Sequence, residues 1–285
     1  MSTINFPPLT QRIAIGQNKN APYLAFGDDS QYLSLLTFAY VVVPKNNALR
    51  VIRNLGRIKR KFKFPPQTPI HCRALFNEHQ RKKAGLGHLS DDAPIQILHH
   101  CVTLMNEYRL FVRYAYAREA AWKNIWGGAD TVELSDSNGN TVEHPVSADP
   151  KGILGLLAQA CWTYTGNLNG PKAADCQIYV SRDETKTRFI GEQKKQAHNW
   201  TVGLSTVEAP DDCWYEIKPA LDFGEYGPMF ELADIAAYIF CHALHGKRKQ
   251  LKFVELAERI TWWSRSEFHL DADRPLTNET INPFN

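Results

Sequence analysis

The fold class is decided by the stretch Tyr23-Leu-Ala-Phe-Gly-Asp-Asp-Ser-Gln31 and by the apolar run from Leu33 to Val43 that follows it. The first run ends in the turn-forming residues Gly27 to Gln31 and the second ends at Pro44, so they predict two strands joined by a tight turn. Apolar residues then recur at every third or fourth position from Leu49 to Phe62, which indicates an amphipathic helix. Strands followed by a helix predict an α/β chain.

Strand and helix patterns continue along the rest of the chain. Residues 70–76 are predicted as a short strand or turn. The later predicted elements are helices at 94–107, 150–164, 228–245 and 249–264, and strands at 109–117, 176–181 and 201–207. A hairpin signal at 136–140 is interpreted as an insertion near residues 127–149. No repeat or linker divides the chain, which predicts a polar N-terminal arm at 1–20, one domain at 21–268 and a C-terminal tail at 269–285.

Composition excludes several classes of protein. Of the 285 residues 44% are apolar, which excludes a disordered tail or a collagen-like array, and the net charge of +3 excludes a histone-like chain. Residues 1–16 lack the pattern of a secretory signal, and the longest apolar stretch, Leu35 to Val43, is too short to span a bilayer. Six scattered cysteines without a C-x-x-C pair favour reduced thiols. We therefore expect a cytoplasmic protein with no membrane partner.

Carboxylates at separated positions share a setting that suits a metal site. Asp28 and Asp183 each stand at the end of a predicted strand, and Asp234 lies inside the apolar helix predicted at 228–245. A carboxylate buried there is strongly unfavourable unless it is paired, hydrogen-bonded or bound to a metal. Glu231 precedes Asp234 by three residues and therefore lies on the same helix face. Because Mg²⁺ and Mn²⁺ prefer hard oxygen ligands, these four residues are candidate ligands.

Several short motifs, in order along residues 22–245, resemble the signatures of the DUF3800 family. They are Tyr23-Leu-Ala-Phe-Gly-Asp-Asp-Ser-Gln31, Ile70-His71, Ile178-Tyr-Val-Ser-Arg-Asp-Glu184 and Phe230-Glu-Leu-Ala-Asp-Ile-Ala236. The chain departs from the family pattern at two positions, with Gln31 in place of the usual Gly and Glu231 in place of the usual Gln. The first departure affects the shape of the turn, and the second adds a negative charge beside Asp234.

The resemblance implies an α/β, ribonuclease-H-like fold, with a mixed β-sheet flanked by helices and the hairpin as an insertion. It also implies a carboxylate metal site and a nuclease or nucleotidyl-transfer chemistry. Carried over by position, Asp28 is the carboxylate of the first strand, Asp183 that of the fourth strand and Asp234 that of the helix. The bacterial setting of the family suggests a role in defence.

Three further residues are assigned supporting positions around the carboxylates, and each has a structural alternative. Asp29 is a turn residue or a support for Asp28, and Glu184 competes with Asp183 for the role of ligand. His71 orients a ligand or shuttles a proton, although a buried histidine with a structural hydrogen bond has the same sequence signal. The pairs His99-His100 and His242/His245 suggest zinc, but neither has a Cys or carboxylate at ligand spacing, so zinc is disfavoured.

A one-sided basic segment runs from Lys45 to Lys63. It contains eight Lys or Arg residues and no acid, whereas a solvated helix face usually mixes the two signs of charge. We interpret the segment as a surface that follows a nucleic-acid backbone without reading base sequence, and a plain surface helix is the alternative. The candidate phosphate-binding residues are Arg50, Arg53, Arg57, Lys59, Arg60, Lys61 and Lys63.

These signals together predict a divalent-metal-dependent phosphodiester hydrolase that acts on RNA or DNA. Two ions of Mg²⁺ or Mn²⁺ held by Asp28, Asp183 and Asp234 would activate a water and stabilise the leaving oxygen. The main alternative is a catalytically silent module of the same fold that binds nucleic acid or protein. A hydrolase acting on a small nucleotide is a third possibility, which the eight positive charges of the basic segment disfavour.

Overall fold

The architecture is taken from a computed structural model, which describes residues 20–118, 131–135, 141–145, 157–158, 161–162, 170–172, 175–181, 216–218, 225–245 and 251–265. The strands are β1 (Tyr23–Tyr32), β2 (Leu35–Pro44), β3 (Phe111–Arg118), β4 (Thr131–Ser135), β5 (Thr141–Pro145), β6 (Cys176–Ser181), β7 (Glu216–Lys218) and β8 (Trp263–Arg265). The helices are α1 (Ala48–Lys61), α2 (Cys72–Phe76), α3 (Glu78–Lys83), α4 (Ala93–Glu107), α5 (Met229–Leu244) and α6 (Leu251–Arg259). Residues 157–158 and 161–162 are also helical.

Six strands form a mixed central sheet in the order β7-β6-β1-β2-β3-β8. β2 runs antiparallel to both of its neighbours, β1 and β3, whereas β6 runs parallel to β1 and β7 runs parallel to β6. At the other edge β8 runs parallel to β3. β4 and β5 pair separately as an antiparallel hairpin, which confirms the hairpin predicted from the sequence. The predicted α/β class is therefore confirmed, and β1 lies inside the sheet between β2 and β6.

The first strand is longer than its sequence suggests. We predicted a turn at Gly27 to Gln31, and this prediction is wrong because β1 continues to Tyr32 and pairs with β2 at every residue. The connection is formed instead by Leu33 and Ser34, with a positive φ of 52° at Leu33. Ten consecutive pairs with the apolar strand β2 outweigh the weak turn preference of the Asp and Ser residues. As a result, Asp28 lies within the strand and not at its end.

Two other predictions of local structure are wrong. Residues 72–76 form the short helix α2 and not the strand or turn predicted at 70–76, with Leu75 and Cys72 buried against the core. The last predicted helix stops at Arg259, and β8 follows within the same predicted range because it pairs with the edge of β3. The strand predicted at 201–207 lies outside the described residues. Propensity alone does not decide such short segments, because tertiary packing overrides it.

Helices cover both faces of the sheet. One face of β1 carries Leu24 and Phe26 into the main hydrophobic core, where α5 packs against β1 and β2. Every residue of α5 except Tyr238 is buried, as its uniformly apolar sequence predicts. On the opposite face the helical residue Trp162 packs against Tyr40, with 5.1 Å between the ring centroids. Asp28 follows Leu24 and Phe26 at the two-residue spacing of one strand face and therefore points towards the α5 face.

None of the helices in the described ranges is long and apolar enough to cross a membrane.

Candidate functional site

Asp234 is a buried carboxylate that holds the start of helix α2. It is 8% exposed, and its Oδ2 accepts a hydrogen bond of 2.7 Å from the backbone N–H of Cys72. Its Oδ1 lies 3.1 Å from Nδ1 of His71, which is the N-cap residue of α2 and does not cap the helix with its own side chain. Because an ionised carboxylate only accepts, Nδ1 of His71 carries the proton. Asp234 thereby performs the capping that α2 lacks locally.

Glu231 occupies a similar position one helical turn earlier. Its Oε2 accepts a hydrogen bond of 2.8 Å from the backbone N–H of Ile70, and its Oε1 lies 2.9 Å from Nζ of Lys59 on α1. Burial raises the pKa of Glu231, and this effect outweighs the opposing influence of Lys59 and of the Ile70 amide. Both oxygens therefore have partners within the protein, and its assignment as a metal ligand stays a prediction.

Together, Glu231 and Asp234 form a clamp on residues 70–72, which we call the 70–72 clamp. The two carboxylates accept hydrogen bonds from the amides of Ile70 and Cys72, two residues apart in sequence. A buried amide left without a partner costs about 1–3 kcal/mol, so each carboxylate has a structural function of its own. Both acids and the Ile70-His71 pair could be identified from the sequence as candidate residues. Their contact could not be predicted, because the two segments lie more than 150 residues apart.

Asp28 approaches the same region from the sheet. It is half-buried in β1, and its Oδ1 accepts a hydrogen bond of 3.0 Å from the backbone N–H of Asp29. Burial raises the pKa of the Cys72 thiol well above its ordinary value, and the negative charges of Asp234 and Asp28 raise it further. The Cys72 thiol is therefore within electrostatic range of both carboxylates. The influence of Asp28 on this thiol is the smallest of those acting on it, so the meeting of Asp28 and Asp234 at one metal site stays a prediction.

Asp29 does not share this position. In a strand successive side chains point to opposite faces, so Asp29 points away from the α5 face that Asp28 approaches. Its interpretation as a turn residue is wrong, because it lies inside β1 and pairs with Phe38 of β2. A supporting role for Asp29 would have to act through its backbone amide, which donates to Asp28.

The candidate residues of the fourth-strand motif, Asp183 and Glu184, lie outside the described residues. The strand that precedes them in sequence, β6, is described as far as Ser181. Gly27 of β1 pairs with Val180 of β6, so Ser181 ends the strand beside the position of Asp28.

Hard oxygen atoms suited to Mg²⁺ or Mn²⁺ are present at this site in Asp28 and Asp234. Within the part of the chain that the structure describes, no group of three or more His, Cys, Asp or Glu side chains is arranged to hold a metal ion. Asp28 and Asp234 fit a divalent cation in ligand chemistry, and their role as metal ligands stays a prediction.

The basic helix α1 and the residues just after it present a row of cations to solvent. Six of the seven candidate phosphate-binding residues are exposed, namely Arg50, Arg53, Arg57, Arg60, Lys61 and Lys63. Lys59 differs because it is half-buried in its ion pair with Glu231. Among the described residues, it is the only one of the seven candidates in an ion pair with an acid. This ion pair joins the basic helix directly to the 70–72 clamp.

The adjacent histidines of α4 contact cations and not other metal-ligating groups. His100 Nε2 lies 2.7 Å from Nζ of Lys61, and His99 Nδ1 lies 3.2 Å from the guanidinium of Arg259. Lys and Arg only donate, so each contacted nitrogen is an unprotonated acceptor. His242 is also engaged, because it packs against aromatic rings such as that of Tyr32, with 4.1 Å between centroids. These contacts give His99, His100 and His242 structural roles.

Acidification should destabilise the fold through His99 and His100. Burial and then Arg259 lower the pKa of His99, and burial and then Lys61 lower the pKa of His100. The folded chain therefore binds these protons less readily than the unfolded chain, so the stability they contribute is present above about pH 6.5 and is lost as pH falls. We expect the melting temperature to fall between about pH 7 and pH 5.5. The double variant His99→Gln/His100→Gln should show a shallower fall, and an identical pH profile in the two proteins would refute this assignment.

No protein-family model matches the chain, and neither the curated proteins nor the solved structures include a significant match to it.

Proposed function

We propose that the protein is a divalent-metal-dependent phosphodiester hydrolase that acts on the backbone of RNA or DNA. The observation that carries this proposal is that Asp234 of α5 accepts a hydrogen bond from the Cys72 amide, while the charges of Asp234 and of Asp28 on β1 both raise the pKa of the Cys72 thiol. Carboxylates gathered in this way suit Mg²⁺ or Mn²⁺. Such an ion, when bound, activates a water molecule and stabilises the leaving oxygen of the phosphodiester.

The residues of the chain itself would bind and position the substrate. The exposed cations of α1 suit a phosphate backbone, since they offer charge without base-specific groups. Lys59 of this helix forms an ion pair with Glu231, which lies one turn of α5 from Asp234. The basic helix and the helix that carries Asp234 are therefore in direct contact through this ion pair. His71, whose side chain is 57% exposed, lies between the buried Asp234 and solvent.

We further propose that the fold is of the ribonuclease-H-like type. Two features support this proposal: β1, β2 and β3 form an antiparallel unit, and β6 and β7 extend the sheet beside β1 and parallel to it. In such a fold Asp28 would be the carboxylate of the first strand, and Asp234, on α5 packed against that strand, would be the carboxylate of the helix. The hairpin of β4 and β5 falls between β3 and β6, where an insertion was predicted.

A catalytically silent binding module is the second candidate, and the 70–72 clamp is the observation that favours it. Both oxygens of Asp234 already have hydrogen-bond partners, as do both oxygens of Glu231. A carboxylate retained only to hold backbone amides would need no metal. In that case the α1 surface would bind nucleic acid without cleaving it.

Cleavage of end-labelled RNA, DNA and RNA–DNA hybrids distinguishes the two functions. The enzyme should cut at least one of these substrates in millimolar Mn²⁺ or Mg²⁺ and should stop when EDTA is added. Protein that binds the same substrates without cutting them in either metal would establish the silent module.

Reversal of three α1 charges should weaken nucleic-acid binding. The triple variant Arg53→Glu/Arg57→Glu/Arg60→Glu removes three phosphate contacts and introduces repulsion, so at moderate salt we expect affinity to fall by about tenfold or more. The slope of log affinity against log salt should flatten by roughly 2–3, since each contact contributes about 0.9. Fluorescence anisotropy with a labelled oligonucleotide, measured over a salt series, checks both values.

A charge-matched control separates the α1 surface from net charge. Lys82, Lys83 and Lys252 are exposed and lie on α3 and α6. Their reversal to Glu changes the net charge by the same amount as the α1 variant. If both triple variants lose affinity equally, the basic helix is an ordinary surface.

A further inference from the structure

A buried arginine without an acidic partner lies on the opposite face of the sheet. Arg113 of β3 is 1% exposed, and its Nη2 donates to the carbonyl oxygen of Pro171. Its guanidinium carbon lies 4.6 Å from the ring centroid of Trp162 and 5.5 Å from that of Phe111. Its Nε and Nη1 are buried and reach no acceptor in the described part of the chain. The described residues therefore give this charge two aromatic faces and one carbonyl but no counter-ion.

Neutral thiols next to Arg113 do not supply the missing charge. Burial lowers the pKa of Arg113 to about 10, so the guanidinium stays protonated at neutral pH. Burial raises the pKa of the Cys176 thiol to about 12 and raises that of the Cys161 thiol even further. Both thiols are therefore uncharged beside the guanidinium. A buried charge without an opposite charge is strongly unfavourable. Because the described residues place no acid beside Arg113, an anion from outside the chain could complete the site.

Two more buried donors without acceptors come from neighbouring elements. The indole Nε1 of Trp162 and the hydroxyl of Ser264 are both buried and have no hydrogen-bond partner among the described residues. Ser264 of β8 is the register partner of Arg113 of β3, so their side chains leave the sheet on the same face. Buried polar groups are rarely left unpaired, and three together on separate elements indicate a missing acceptor.

We propose that Arg113, Trp162 and Ser264 form a buried binding site for a small oxyanion that carries one negative charge, such as a carboxylate. A single negative charge matches the single guanidinium charge, and oxygen lone pairs accept from the guanidinium, indole and hydroxyl donors together. Val112 and Tyr114, which flank Arg113 in β3, face the main core with α5. The anion site therefore lies on the other side of the sheet from Asp28 and Asp234, and it does not depend on the function proposed for them.

Thermal melting with formate as the probe tests this site. The reference buffer contains only a bulky organic sulfonate as its anion, at the same ionic strength. In the wild type, formate should raise the melting temperature by several degrees along a saturable curve, because it binds the folded chain only. Sulfate, with two charges, should give a smaller saturable shift. Absence of a saturable formate shift in the wild type overturns the proposal.

Variants assign the effect to the three donors. Arg113→Met should lose the saturable formate shift and should melt at or above the wild type in the sulfonate buffer, since it removes an unpaired buried charge. Trp162→Phe keeps a ring beside Arg113 and Ser264→Ala removes only a hydroxyl, so each should fold and weaken the apparent formate affinity by about tenfold. If Arg113→Met does not fold, an unchanged formate response in both other variants overturns the proposal. A wild-type response retained in a folded Arg113→Met protein also overturns it.

Discussion

Replacement of Asp28 by Asn is expected to reduce metal-dependent cleavage on the order of 100-fold or more, because it removes one of the carboxylate charges that would hold the cation. The substitution keeps the shape of the side chain and an oxygen that accepts from the Asp29 amide. The melting temperature without metal should therefore stay close to that of the wild type. Single-turnover cleavage rates in Mn²⁺, together with binding affinity for the same substrate, measure the effect on chemistry apart from binding.

The neighbouring residue provides a matched control. Asp29→Asn makes the same chemical change one position later on the same strand, where the side chain points to the opposite face. We expect it to cleave within a few-fold of the wild type. Equal losses in the two variants would show that neither result reports a metal site. Full activity in Asp28→Asn would remove Asp28 from the mechanism.

Replacement of Asp234 by Ala is expected to destabilise the fold by about 2–4 kcal/mol. The change leaves the buried N–H of Cys72 without its acceptor and leaves a cavity between α5 and the start of α2. Asp234→Asn keeps an acceptor oxygen and should cost less than about 1 kcal/mol, while cleavage should still be lost. Urea unfolding of the two variants, read beside their cleavage rates, separates the structural function of this carboxylate from the catalytic one.

His71→Gln is the control for the stability effect. It removes the imidazole that lies against Asp234 but leaves the Cys72 amide paired, and the side chain is more than half exposed. We expect a change in unfolding free energy of at most about 1 kcal/mol. If Asp234→Ala is as stable as the wild type, the 70–72 clamp does not hold the start of α2.

Long periodic elements could be predicted from the sequence, whereas contacts between distant segments could not. The helix α1 was predicted close to its true bounds because its apolar residues repeat over four turns and Pro65 follows shortly after. The hairpin of β1 and β2 was predicted, but its turn was misplaced because Asp28, Asp29 and Ser30 favour turns in isolation. Pairing along the whole of β2 decides the length of β1, and no local pattern contains that information.

In the candidate site, too, the individual residues could be predicted from the sequence, whereas their contacts with distant segments could not. An acid inside the apolar sequence of α5 indicated that Asp234 would need a partner, and the structure supplies the Cys72 amide and His71. The identity of those partners depends on how α2 packs against α5, which one sequence does not reveal. The ion pair of Lys59 with Glu231 was missed for the same reason, since 172 residues separate the two. The sequence does not distinguish the cation that points inwards, Lys59, from the exposed cations of the same basic segment.

The central claim is that Asp28 and Asp234 together bind a divalent cation, and a titration with Mn²⁺ followed by electron paramagnetic resonance tests it most directly. Binding removes the sharp signal of free Mn²⁺, so the bound fraction is read without any substrate or cleavage. We predict saturable binding to the wild type at millimolar Mn²⁺ or below, a rise in melting temperature over the same range, and at least about tenfold weaker binding in Asp28→Asn and in Asp234→Asn. Wild-type protein that leaves the free Mn²⁺ signal unchanged, or Asp28→Asn protein that binds as tightly as the wild type, would contradict the account.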